Sequence, residues 1–296
     1  MMHDQPGTRG EWGEMRAPDQ ATIATGRFMM PDGIKLFYRA WRIPSAPVLL
    51  ILHGLGAHSG WFVDMGNALA ERGLSVYAVD HRGFGQSDGP RGHIRNYRQL
   101  LRDIHVLLER LQQQHPAAPL FILGHSMGGI LAIYVAARER RRLAGIILLN
   151  PWIRDTSRVP LGILLRVLCG GLLGLSSRYR LAGGPDVMTT NPEAVAMLEN
   201  DPLWVRAESA SFFFQISLMR AGVLRQARRV TIPALVAQAG RDLAVVPAAS
   251  YRVYERLGSA DKTWKVYPDY AHDTELEADR RTLDDDIATW VRQHTR

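Results

Sequence analysis

The sequence predicts an α/β fold: a mostly parallel sheet of about eight strands flanked by helices, with a helical segment inserted after the sixth strand. Three observations carry that prediction. The chain begins with two β-like segments joined by turn residues, short apolar runs then alternate with helix-length segments, and the alternation breaks once, between Pro151 and Arg225.

The opening segments are Thr22–Met30 and Lys35–Trp41, separated by Pro31-Asp32-Gly33, whose backbone preferences suit a tight turn. They predict a hairpin. The later runs are Val48–Leu52, Val76–Val79, Leu120–Leu123, Gly145–Leu149, Ala234–Ala237 and Thr263–Tyr267. Each is short and several are β-branched, as befits strands buried on both faces of a parallel sheet. Between them, Tyr97, Leu100, Leu101, Ile104, Leu108 and Leu111 recur at helical spacing and mark one apolar face. Leu283, Ile287, Trp290 and Val291 do the same near the C-terminus. Pro247 and Gly258 bracket a further helix, proline preset for the first turn and glycine suited to the position just past the end.

The stretch from Pro151 to Arg225 has no strand period. It holds the Leu- and Gly-rich run Val159–Leu175, the breakers Pro185, Asn191-Pro192 and Asp201-Pro202, and then Phe212-Phe213-Phe214 with Ile216, Leu218 and Met219. Burying one Leu or Phe side chain is worth about 1.5–3 kcal/mol, so these groups are expected to cover the sheet, line a ligand cavity or meet a membrane. The expected organisation is a disordered lead-in at 1–20, a core formed by 21–151 and 226–296, and a helical cap at 152–225.

Composition narrows the function classes. A single cysteine, Cys169, excludes an intrachain disulfide, which suits the cytoplasm. Met1 to Gln20 is rich in Gly, Pro and charge and lacks the apolar core of a signal peptide. Val159–Leu175 is broken by Arg166 and four glycines and falls short of the roughly 18–20 residues of a spanning helix. The formal net charge of +7 raises the question of nucleic acid. The densest basic run, Arg138 to Arg142, falls where a helix should end, and cations there complement the helix dipole. No nucleic-acid partner is expected. The Leu-rich insertion and the positive charge permit transient docking at a lipid surface.

The chemistry is carried by Gly124-His125-Ser126-Met127-Gly128, which lies between an apolar run and a helix-like stretch. A serine flanked by glycines two positions away, at a strand-to-helix turn, is the nucleophile elbow of α/β-hydrolases. The tight turn lifts the hydroxyl clear of the sheet, and a Cβ at either glycine would meet neighbouring backbone. Such a serine needs a base and a group to orient the base, in the chain order Ser, Asp or Glu, His. His272 lies five residues beyond the Thr263–Tyr267 run, whereas His294 closes the last helix, so His272 is the expected base. Three carboxylates are candidates for the acid. Asp242 follows Ala234–Ala237 through a short loop and is preferred; Asp155 follows the sixth run, and Asp269 is near His272 in sequence. The developing oxyanion would take main-chain N–H groups from Met127 and from Leu55 in His53-Gly54-Leu55-Gly56. Gly54 and Gly56 could also begin a dinucleotide fingerprint, but the third glycine position is Ser59. Asp80 would then fix a turn rather than bind ribose. No cofactor or metal is expected.

Together these segments resemble the monoacylglycerol lipase and lysophospholipase branch of the serine α/β-hydrolases, the serine aminopeptidase S33 group. His53-Gly54-Leu55-Gly56-Ala57-His58-Ser59 resembles its oxyanion loop, Asp80 to Gly89 its glycine-rich turn, Gly124 to Gly129 its elbow, and Asp201-Pro202-Leu203 a cap signature of its bacterial members. Tyr251 to Asp273 resembles its last helix, strand and histidine loop, and the similarity runs from about Thr22 to the C-terminus. The resemblance implies catalytic Ser126, Asp242 and His272, oxyanion donors Leu55 and Met127, no cofactor, and hydrolysis of an ester carrying one fatty acyl chain. The chain departs from the pattern at Ala239, where a glycine is common, at Trp61 and Phe62, and above all in the cap, which would choose head group and acyl length. The same triad would also serve an acyltransferase or thioesterase, and the fold alone would serve a noncatalytic binding protein.

Overall fold

The computed structural model describes residues 23–156, 160–180 and 184–295. The lead-in at 1–20 lies outside the described residues.

Strand positions follow the apolar runs closely. β1 (Ile23–Met29) and β2 (Lys35–Trp41) form the expected hairpin, followed by β3 (Val48–Leu52), β4 (Ser75–Val79), β5 (Leu120–His125), β6 (Gly145–Leu149), β9 (Ala234–Ala239) and β10 (Lys262–Tyr267). These make one eight-stranded sheet in the order β1-β2-β4-β3-β5-β6-β9-β10. β2 pairs antiparallel with both its neighbours, and every other pairing is parallel.

Alternation along each strand divides the core into two layers. Leu50 and Leu52 of β3 face one layer with Ile122, Ile146 and Val236, whereas Leu49 and Ile51 face the other with Leu123, Ile147 and Leu235. Helices close both faces. On the first, α2 (Arg98–Gln114) buries Leu100, Ile104, Leu107, Leu108 and Leu111, and α3 (Met127–Glu139) is buried over most of its length. On the second, α1 (Val63–Glu71) and α9 (Arg281–Gln293) bury Met65, Leu69, Leu283, Ile287, Trp290 and Val291. α8 (Pro247–Arg256) starts with its proline in the first turn.

The parallel register brings the functional loops to one edge. Leu52 is level with Gly124, Gly124 with Leu148, and Leu148 with Val236, so the carboxyl ends of β3, β5, β6 and β9 stand side by side. Ligands in open α/β sheets bind outside these ends, where the loops are free to vary.

Between β6 and β9 the chain forms α4 (Leu161–Leu172), α5 (Pro185–Met188), α6 (Pro192–Glu199) and α7 (Ala210–Ala227). Asn191 and Ser209 cap α6 and α7 with side-chain oxygens, accepting from Glu193 N at 3.1 Å and Phe212 N at 3.1 Å. Among the described residues the insertion is not all helical. β7 (Arg178–Tyr179) and β8 (Glu208–Ser209) form a two-residue antiparallel ladder, too short to leave a period in the sequence. α7 packs on both α3 and α4, and Phe212 is fully buried against the sheet-side core. α4 divides its apolar residues: Ile163, Leu164 and Val167 line a cavity, while Leu161, Leu165, Leu172 and, just past the helix end, Leu173 are more than half exposed.

Candidate active site

Ser126 joins β5 to α3 in a conformation that L-residues seldom adopt, with φ 52° and ψ −113°. Such a backbone costs on the order of 1–3 kcal/mol and persists only where the surroundings impose it. Here the surroundings are explicit. Ser126 N donates to Leu149 O at 2.9 Å, and Ser126 O accepts from Gly129 N and Trp152 N, both at 3.0 Å. The flanking glycines are needed for space: a Cβ on Gly124 would lie 2.3 Å from Gly128 O, and one on Gly128 would lie 2.0 Å from Leu52 O.

His272 Nδ1 and Asp242 Oδ2 are 2.9 Å apart, and both side chains are buried. The Asp242 carboxylate is held by three further donors: Ala244 N at 3.0 Å and Val245 N at 2.9 Å to Oδ1, and Gln238 Nε2 at 3.1 Å to Oδ2. The loops after β9 and β10 are laced together, Gly240 N donating to Tyr267 O at 2.8 Å and Arg241 N to Tyr270 O at 2.9 Å. Burial alone would push the His272 imidazole down, but the charge and hydrogen bond of Asp242, with a smaller contribution from Asp273, outweigh it and hold the pKa above its ordinary value. Asp273 itself is pushed up to about 7 by burial.

The other two acid candidates are engaged elsewhere. Asp155 accepts from Trp152 Nε1 and from Arg220 Nη2, the latter at 2.7 Å, while Asp269 forms an exposed pair with Arg241. Neither is bonded to His272.

The loop after β3 abuts the serine: a Cβ on Gly54 would come within 3.2 Å of Ser126 Cβ. Its shape is fixed from three sides. His53 is kept neutral, with its pKa pushed to about 3 chiefly by burial, so Nδ1–H donates to Gly54 O at 2.7 Å while Nε2 accepts from His81 N at 3.0 Å. Asp80 accepts from Ser59 N at 2.6 Å and Gln86 N at 2.7 Å, the turn-fixing role that its sequence context suggested. Val205 N reaches across from the insertion to Gly56 O at 3.0 Å, and Gly56 adopts φ +72° with no room for a Cβ beside Val205 O. Leu55 shares a cavity wall with Ser126 and His272, and Met127 opens α3 immediately after the serine.

That cavity has a volume of about 540 Å³. Ser126 and His272 stand on its sheet side, and Ile163, Leu164, Val167 and Phe213 of the insertion stand on the other.

Sequence reasoning missed the groups that hold the His272 loop from behind. His272 O accepts from His125 Nε2 at 3.0 Å and from Asn150 Nδ2 at 2.6 Å. Asn150 could have been noticed as an asparagine directly after a strand and before a proline, a place where a left-handed residue is often needed. Nothing in the spacing pointed to His272 as its partner.

The sequence profile described as Serine aminopeptidase, S33, matches residues 44–279. The chain belongs to this family. Among its relatives, human monoglyceride lipase is 33% identical over 272 residues, 89% of this chain and 89% of the human protein. Monoacylglycerol lipase of Mycolicibacterium smegmatis is 27% identical over 93% of this chain and 99% of its own length. The solved Paleococcus ferrophilus monoacylglycerol lipase superposes with a TM-score of 0.80 at 24% identity, covering 88% of this chain and 99% of that one. A soluble variant of monoglyceride lipase from Saccharomyces cerevisiae, solved with a substrate analogue, gives 0.80 at 20% identity over 97% and 100%. The eight-stranded sheet of this S33 member is therefore the α/β-hydrolase sheet. No helix among the described residues is long and apolar enough to cross a membrane.

Proposed function

We propose that this protein hydrolyses monoacylglycerols and related single-chain esters through an acyl-enzyme on Ser126, with Asp242 and His272 completing the triad. The observation that carries the reading is a strained serine sharing one cavity with a buried imidazole already bonded to a fixed carboxylate. With Nδ1 given to Asp242, His272 has Nε2 to take the Ser126 proton as Oγ bonds to the ester carbonyl carbon. Main-chain N–H groups of Leu55 and Met127 receive the carbonyl oxygen as it gains charge. Collapse of this intermediate breaks the bond to the alcohol, which leaves with the proton from His272. Water then attacks the acyl-enzyme with His272 as base, freeing the fatty acid and restoring Ser126.

An ester is favoured over a peptide with a free amino terminus. Ile163, Leu164, Val167 and Phe213 give the cavity an apolar wall suited to an acyl chain, and two of its carboxyl groups are screened from an ammonium, Asp155 by its pair with Arg220 and Glu208 by burial, which pushes it up to about 8. A cavity of about 540 Å³ also falls within the roughly 300–1,000 Å³ usual for one small ligand. Ranking kcat/KM over monoacylglycerols, lysophospholipids, triacylglycerols and aminoacyl amides tests the reading. Monoacylglycerols should lead by at least about tenfold, the effect of about 1.4 kcal/mol of differential binding. Preference for aminoacyl amides would overturn it.

The outward leucines of α4 belong to the same proposal. Leu161, Leu165, Leu172 and Leu173 would insert at a lipid surface, with Ile163 and Leu164 on the cavity side receiving substrate from it. Leu172→Asp with Leu173→Asp should abolish flotation with liposomes while leaving hydrolysis of a short, water-soluble ester unchanged. Unaltered flotation would remove this part of the proposal.

A further inference from the structure

The proposed triad draws its members from three separate strand ends, and one side chain joins two of those ends directly. Asn150 stands immediately after β6, which lies between β5 and β9 in the sheet. Its main-chain N–H donates to Ala237 O at 3.0 Å, and its side-chain Oδ1 accepts from Ala239 N at 2.6 Å. Both acceptor and donor belong to β9, three to five residues before Asp242. The other end of the same amide, Nδ2, donates to His272 O at 2.6 Å. His125 Nε2, at the end of the strand that delivers Ser126, donates to that carbonyl as well. The side chain of Asn150 is completely buried, and its backbone has φ 45°. Among residues other than glycine, Asn and Asp tolerate this left-handed conformation best.

We propose that Asn150 is a positioning residue: its amide sets the separation between the end of β9 and the His272 loop, and with it the reach of His272 toward Asp242 and Ser126. The inference rests on the triad reading given above. A planar amide is the right length to span the two backbones, accepting at one end and donating at the other. Serine at this position is too short to satisfy both, and aspartate keeps the acceptor but turns an oxygen against the His272 carbonyl.

The test is kinetic and uses two backgrounds. Asn150→Ser should lower kcat for a soluble monoacylglycerol about 10- to 100-fold with KM within about twofold, since a misplacement near 1 Å at a reacting centre can cost about 10²-fold. In protein already carrying Asp242→Asn, the same change should cost less than about threefold, because the pair it positions is no longer functional. Where Asn150→Ser fails to yield folded protein, Asn150→Asp, which suits the same backbone conformation, replaces it with the same expectations. Equal losses in both backgrounds, a loss confined to KM, or an unchanged kcat would overturn the assignment. A different result separates the two readings: if Asp242→Asn alone leaves kcat intact, it is the triad that fails.

Discussion

Ser126→Ala should lower kcat for monoacylglycerol hydrolysis by about 10⁶-fold, as expected when a nucleophile that acts with its base as one unit is removed. The protein should remain folded. Alanine keeps the Cβ that the site already accommodates, and the bonds that impose the elbow are main-chain ones, from Ser126 N to Leu149 O and from Trp152 N and Gly129 N to Ser126 O. None of them needs the hydroxyl. The measurement is turnover alongside thermal unfolding and labelling by a fluorophosphonate. Wild type should be labelled once, at Ser126, and the variant not at all. Retained turnover, or labelling of a different serine, would sink the acyl-enzyme mechanism. A noncatalytic role for the fold would instead give unlabelled wild-type protein.

The parts of this molecule that were legible in the sequence are those in which local pattern and tertiary role coincide. Val48–Leu52 and Gly145–Leu149 match their strands to the residue, because every residue of both is buried, so the apolar run and the strand coincide. The elbow was legible because its glycines answer to a steric need that a sequence can display: Gly128 has backbone 2.0 Å from where a Cβ would sit. What stayed hidden depends on contacts across long sequence separations. Asn150 meets His272 over 122 residues, and Asp201 accepts from both His58 Nε2 and Trp61 Nε1 across more than 130. No period or short motif encodes such a pairing. The β7–β8 ladder was hidden for a different reason, since two residues are too few to alternate. The division of α4 into cavity-facing and outward leucines was also out of reach, because a helix rich in leucine all round does not declare which side is covered.

Asp242→Asn should cost about 10⁴-fold in kcat, whereas Asp155→Asn should cost less than about tenfold. The difference follows from what each carboxylate holds. The asparagine side chain of the Asp242→Asn variant could still accept from Ala244 N and Val245 N, but its amide nitrogen would face His272 Nδ1 and Gln238 Nε2, where two donors now converge on an acceptor. The imidazole would then carry its proton on Nε2, the nitrogen that must receive one from Ser126. Asp155 bears on Arg220 and Trp152 and leaves that tautomer untouched. The pH profile supplies an independent readout. His272 must be neutral to act as base, and its pKa is held above 6.5, so wild-type kcat/KM should fall as pH drops through a midpoint above 6.5. Removing the Asp242 charge leaves burial as the main influence, and burial disfavours the imidazolium; the residual activity of Asp242→Asn should therefore show its acid limb at lower pH than wild type. An acid limb that stays in place, or a larger loss from Asp155→Asn, would transfer the orienting role away from Asp242.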